Sequence, residues 1–456
     1  MVEAKTKIER YESYRDSGIE WLGEIPKHWK IESFKHILTE RNEKNAPIRT
    51  KEILSLSIDK GVTLYAEKTT NLDRFKDDFS KYKLAHKGDL VFNSMNMIVG
   101  AVGVSDYFGC VSPVYYTYYG ELNNSDTSKF YEYLFRSKIV QGVLYSLGKG
   151  LMAIDRGDGK YNTLRLKVSR DDLRSMKLPF PNPSEQTKIV QFLNDKTTKI
   201  EDAIAIKEQQ INLLKERKQI LIHKAVTRGL DDSVTLKDSC VEWIGEIPEH
   251  WEVKRFRYVF NLGKGLTITK DNLREEGVFC VNYGEIHSKY GFELDTNIHK
   301  LKCVDEDYLL NNPSALINYG DFVFADTSED IEGSGNFTYL ESKDEIFAGY
   351  HTVVAKPKFE IESRFFAYIF ESESFRNQIR TKVKGVKVFS ITQSILKQPT
   401  VWYPSKNEQK EIVDYLDSGT KKIETAIGLK QQEIDKLKEY KSSLINGAVT
   451  GKVRVC

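Results

Sequence analysis

The chain has 456 residues, a formal net charge of +2 and a composition of 40% hydrophobic and 29% charged residues. That length supports two to four domains, each with its own core, and the near-neutral charge neither demands nor excludes a nucleic-acid partner. No stretch approaches the roughly 20 apolar residues that cross a bilayer, which argues against a membrane span, and the first residues lack the apolar centre of a signal peptide, so a cytoplasmic location is expected. Five dispersed cysteines without a CxxC pair argue against a disulfide framework or a zinc site.

Residues 16–31, DSGIEWLGEIPKHWKI, form a lead-in segment that returns at 238–253 as DSCVEWIGEIPEHWEV, with ten of sixteen positions identical and three aliphatic exchanges. Trp21 and Trp29, with counterparts Trp243 and Trp251, are expected to staple each segment onto the domain behind it. Next come 146 residues (39–184) with the periodicity of short strands and turns, and with short helices such as 128–145. They precede Pro183-Ser184-Glu185-Gln186, which reads as a helix start with Ser184 as cap.

The following helix carries an apolar stripe at Ile200, Ile204, Ile211, Leu214 and Leu221, interrupted by Lys207 and Lys218. After the second lead-in segment, 147 residues (261–407) resist alignment with the first interior, apart from GDLVF (88–92) returning as GDFVF (320–324). A second short helix is expected at 362–380. Residues 185–227 then return at 408–450 with 23 of 43 positions identical, and the stripe recurs at Ile423, Ile427, Ile434, Leu437 and Leu444. Steps of three and four mark a coiled-coil seam, and the cheapest partner for one such helix is its own repeat, paired antiparallel. Some 30 helical residues span about 45 Å, the length of about 13 base pairs.

Lead-in segments, unlike interiors, PNPSEQTKIVQFLNDKTTKI, PSKNEQKEIVDYLDSGTKKI and the terminal INGAVTGK, duplicated in order, resemble the specificity subunit of type I restriction–modification systems. The resemblance covers nearly the whole chain. It implies an α+β fold of two tandem pseudo-symmetric units, each a mostly-β or mixed target recognition domain followed by a long helix, with the helices forming an antiparallel coiled coil. The implied boundaries are a tail at 1–19, recognition domains at 20–184 and 241–407, spacer helices at 185–230 and 408–456, and a linker at 231–240. It also implies double-stranded DNA and two adenine methyltransferase subunits as partners, with motor–nuclease restriction subunits as optional further ones. S-adenosylmethionine belongs in this scheme to the methyltransferase, and no cofactor to this chain.

Residue by residue, an enzyme reading finds nothing to stand on. NNPS (311–314) and PNPS (181–184) lack the second proline and aromatic of an adenine methyltransferase motif, and no phosphate-binding GxxxxGK is present. Asp89 and Asp321 in the repeated GD(L/F)VF read as turn-forming carboxylates. Base reading needs exposed Arg, Lys, Asn, Gln, Ser or Thr, and phosphate contacts need Lys or Arg. The candidates are Lys149, Arg156, Lys160, Asn162 and Arg165 in the first half and Lys384, Lys387, Ser390 and Gln393 in the second. Asn93, Ser94 and Asn96 after the GDLVF strand, Thr327 after its counterpart, and Lys264 complete the set. The competing reading is a protein-binding scaffold without DNA specificity, which predicts no salt-dependent DNA affinity.

Overall fold

The computed structural model describes residues 9–68, 78–120, 125–151, 165–385 and 388–455. Two compact units result, one from residues up to 208 together with 431 onward, the other from 209–430. Each unit therefore contains parts of both long helices, Pro183–Arg228 and Lys406–Val449.

In the first unit the lead-in segment is a hairpin, Tyr14–Asp16 against Glu24–Pro26. The next strand, Lys30–Ser33, pairs antiparallel with Lys177–Phe180, so the recognition domain is closed where it begins and ends. Between them lies an antiparallel sheet ordered Leu38–Glu40, Tyr115–Gly120, Leu90–Asn93, Val102–Val104. The GDLVF strand is interior, and Leu90, Val91 and Phe92 are all buried, as expected for a strand covered on both faces. Phe34, Phe92, Tyr118 and Phe135 meet edge-to-face in this core, with centroids 4.7 Å apart for Phe34–Tyr118 and 4.9 Å for Phe92–Phe135.

The second unit repeats the plan. Its hairpin is Leu236–Asp238 against Glu246–Pro248, and its closing pair is Glu252–Arg255 with Thr400–Tyr403. A five-stranded sheet runs Phe260–Lys264, Thr352–Pro357, Phe322–Ala325, Phe337–Leu340, Phe292–Leu294, with the last pair parallel. The GDFVF strand again sits inside. A further four-stranded sheet is built around the parallel strands Val278–Val281 and Ile346–Ala348. Its counterpart in the first unit is the hairpin Leu54–Ser57 with Gly61–Leu64, joined by a parallel bridge at Ile53–Cys110 to the pair Lys83–Ala85 and Gly109–Val111.

The repeated Gly-Asp opens this strand in the same way twice. Gly88 and Gly320 have φ of 88° and 86°, a region glycine enters without a Cβ penalty. The following carboxylate accepts the backbone N–H three residues earlier, His86 to Asp89 at 2.8 Å and Asn318 to Asp321 at 3.0 Å. Burial pushes both carboxyls up from the usual range. Asp89 is further held by Arg41, whose Nε and a terminal nitrogen donate to its two oxygens at 2.6 and 3.1 Å.

Within each unit the long helices run antiparallel. In the first, Lys207 pairs with Glu433 at 2.7 Å and Lys441 with Glu201. In the second, Lys218 pairs with Glu424 at 2.7 Å, and Gly419 lets the Leu221 side chain approach. The lysines that break the apolar stripe thus reach glutamates on the facing helix while their stems cover the seam. Ile200, Ile211, Ile423, Ile434 and Leu444 are buried, and Ile204, Leu214, Leu221, Ile427 and Leu437 are partly so.

Three local expectations need correction. The first helix begins at Pro183 and its cap is Asn182, whose Oδ1 accepts the Glu185 N–H at 2.9 Å, because proline occupies the first helical position. Ser184 already lies inside the first turn. The expected helices at 128–145 and 362–380 are each two helices, Ser125–Arg136 with Lys138–Leu147 and Ser363–Glu371 with Glu373–Arg380. Ser137 and Ser372 interrupt them in an extended conformation. Of the four repeated tryptophans, only Trp29 and Trp251 are stapled inside; Trp243 is 41% exposed and Trp21 only partly covered.

What those two buried indoles touch is the repeated latch of the fold. Trp29 Nε1–H donates to Glu185 Oε1 at 3.0 Å, and His28 Nε2 lies 3.0 Å from Glu185 Oε2. Trp251 and His250 do the same to Glu408, both at 2.9 Å. The next residue, Gln186 or Gln409, donates its amide to the carbonyl of Pro181 or Pro404 at 2.8 or 2.9 Å. The Glu185 side chain is 6% exposed against 27% for Glu408, and Tyr11 adds a third donor to it at 2.7 Å. Glu185→Ala is therefore expected to cost about 3 kcal/mol and Glu408→Ala about half of that, because buried donors left without an acceptor forfeit their desolvation. Urea unfolding of the two variants measures the difference; equal losses contradict it.

Candidate nucleic-acid interface

Two candidate segments distant in sequence meet in each unit. In the first, Lys149–Leu151 and Arg165–Lys167 form a hairpin, and just beyond it Val168 N–H donates to the Ser94 carbonyl at 3.2 Å. In the second, Thr327 pairs with Ser390, and Ile391 N–H donates to the Asp326 carbonyl at 2.7 Å. Ser94 and Asp326 hold the same place after the GD(L/F)VF strand, so this crossing is equivalent in the two units. Immediately after it, Ser169 and Thr392 cap short helices, accepting the N–H of Asp172 and Ile395 at 3.1 and 3.2 Å. The cap fixes where the candidate loop ends, and the crossing fixes what it lies beside.

The individual candidates are placed unequally. Asn96 is exposed, whereas Asn93 is partly covered and its Oδ1 accepts the Met95 N–H. The Ser94 side chain is buried, and only its carbonyl takes part in the crossing. Lys149 is 79% exposed, with Nζ 3.4 Å from Asp172. Arg165 opens the return strand of the hairpin opposite Leu151. Arg156, Lys160, Asn162 and Lys387 lie outside the described residues.

In the second unit Lys264, Lys384 and Ser390 are exposed. Gln393 already spends an amide N–H on the Gly263 carbonyl at 3.0 Å, which ties the strand carrying Lys264 to the crossing. The Thr327 hydroxyl donates to Asp326 at 2.5 Å. Its carbonyl oxygen lies 2.8 Å from His287 Nε2.

Sequence reasoning missed a second repeated contact, which sets each recognition domain on its helix. The Tyr133 hydroxyl donates to Asn194 at 2.7 Å and lies 3.4 Å from Thr197. The Tyr368 hydroxyl donates to Asp417 at 2.6 Å and lies 3.3 Å from Thr420. Burial pushes both phenols up. The signal was present as FYEYLF (130–135) against FFAYIF (365–370).

Among the described residues no group of three or more His, Cys, Asp or Glu is placed to hold a metal ion, and no helix is long and apolar enough to cross a membrane. Cys110, Cys240, Cys280 and Cys303 are free thiols.

Residues 248–438 match the sequence model of the type I restriction modification DNA specificity domain. Among curated proteins, the type I restriction enzyme MjaVIII specificity subunit of Methanocaldococcus jannaschii is 27% identical over 292 residues, which cover 63% of this chain and 64% of that one. The putative MjaX specificity subunit of the same organism is 26% identical over 461 residues, covering 95% and 96%. A chain from a solved type I R-M system, described for its complex assembly and conformational transition, superposes with a TM-score of 0.68 at 13% identity, covering 93% of this chain and 98% of that one; it establishes the fold. Domain match, relatives and twin-unit architecture point the same way: the chain is similar to specificity subunits of type I restriction enzymes, and its residues 248–438 match their DNA specificity domain.

Proposed function

We propose that this chain is the sequence-reading subunit of a cytoplasmic type I restriction–modification complex, without catalytic residues of its own. Each recognition domain reads one half of a split DNA site, and the antiparallel helices act as the ruler between the halves. Two adenine methyltransferase subunits dock on this framework and supply S-adenosylmethionine and the methyl transfer; restriction subunits can join them. The observation that carries the reading is the twice-built latch and crossing around interiors that do not align. A framework kept in duplicate while its loops diverge suits one architecture reading two different sequences, and the target is accordingly asymmetric.

Sequencing of adenine methylation in host DNA, with and without this gene, tests the reading. One split, asymmetric motif is expected to vanish on deletion. If the partner methyltransferase is active and no motif changes, the scaffold alternative takes its place. The purified complex is also expected to bind its site more weakly as salt rises, because phosphate contacts release counterions; binding indifferent to salt contradicts the proposal. Inserting four residues within 200–225 shifts the seam off its heptad register against 423–448. It is expected to change the spacer length or abolish assembly, and an unchanged motif in an assembled complex rules the ruler out.

A further inference from the structure

In each unit a two-residue turn tip stands beside the crossing. Strand register identifies the two tips as equivalent, although their sequences share nothing. Tyr115 pairs with Asn93 and Thr352 with Ala325, and Asn93 and Ala325 occupy the same place in the GD(L/F)VF strand. The residues just before them, Val114 and His351, therefore correspond. Both are exposed, Val114 by 43% and the His351 side chain by 58%. Val114 keeps nearly half of its surface in solvent at the turn tip, and His351, at φ 55°, occupies the left-handed region that few residues besides glycine enter, histidine, asparagine and aspartate most often among them.

The imidazole is also oriented. His351 Nδ1 lies 3.1 Å from Asp326 Oδ1 and 3.3 Å from the Thr327 hydroxyl, which itself donates to Asp326. The backbone fixes the same pair, Asp326 N–H donating to the His351 carbonyl at 3.0 Å. The Tyr283 ring backs the imidazole edge-to-face at 5.3 Å. With its Nδ1 proton directed at a carboxylate, the neutral ring offers Nε2 as an acceptor.

We infer that positions 114 and 351 are matched base-reading positions: His351 Nε2 accepts from the exocyclic amino group of an adenine or cytosine in one half-site, and Val114 contacts a thymine methyl in the other. These are complementary major-groove features that an acceptor and an apolar side chain respectively distinguish. Asp326 is the positioning residue for His351. The inference rests on the proposed DNA-reading function and adds which atom reads what.

The test is methylation by the assembled complex on duplexes altered one base pair at a time. His351→Gly suits the left-handed backbone, so the fold is kept while the reader is lost. It is expected to lower discrimination roughly tenfold at one base pair of one half-site and to leave the other half-site unchanged. Val114→Gly is expected to act on the other half-site only. There, replacing thymine by uracil weakens modification by the unaltered complex but not by the variant. Unchanged single-base preferences in both glycine variants overturn the inference and leave the function standing. Absence of any preferred motif for the unaltered complex overturns both.

Discussion

A single carboxylate in the first turn of each long helix organises the unit around it. Glu185 and Glu408 each accept an indole N–H and face an imidazole nitrogen from a lead-in segment more than 150 residues earlier. A helix N-terminus already favours negative charge, so the glutamate sits where it is electrostatically welcome while satisfying a buried tryptophan donor. This contact makes the spacing between lead-in segment and helix independent of what is folded between them. The interiors are then free to differ: 146 residues with a four-stranded sheet and two bridged two-stranded pairs in one unit, 147 with five- and four-stranded sheets in the other.

The same logic governs the helix pair and the tyrosine contacts. Lys207, Lys218 and Lys441 would weaken a purely apolar seam, yet each reaches a glutamate on the opposing helix. Such half-exposed pairs add little stability, about 0–1 kcal/mol each, but they penalise other registers. Tyr133 and Tyr368 then fix a recognition-domain helix against the long helix through hydroxyl contacts at equivalent places. Latch, seam and tyrosine contact form a frame whose elements are chosen for position. The crossing at Val168–Ser94 and Ile391–Asp326 carries that position out to the candidate DNA loops.

The sequence made the frame legible because its parts are repeated: the EIPxHW segment, the P…EQ start and the heptad stripe all stand where the periodicity put them. The interiors were harder for a physical reason. A strand buried on both faces, such as Phe322–Ala325, shows no alternation, and its neighbours in the sheet come from distant residues. The matched FYEYLF and FFAYIF were overlooked because loop-length differences move the offset between the halves from place to place. The serine breaks at 137 and 372 were hidden by apolar spacing that continues through them. Val114 and His351 share no residue type, so only hydrogen-bond register reveals that they correspond. Arg156, Lys160, Asn162 and Lys387 lie outside the described residues.

The central claim is that two interchangeable readers sit on one repeated frame with antiparallel helices. It is tested most directly by replacing residues 261–407 with a second copy of 39–184 and sequencing the methylation the resulting complex deposits. The account predicts a new motif in which the half-site of the first unit appears twice as an inverted repeat, with the spacer length unchanged. A direct repeat contradicts the antiparallel frame. Persistence of the original asymmetric motif contradicts the assignment of sequence reading to the interiors.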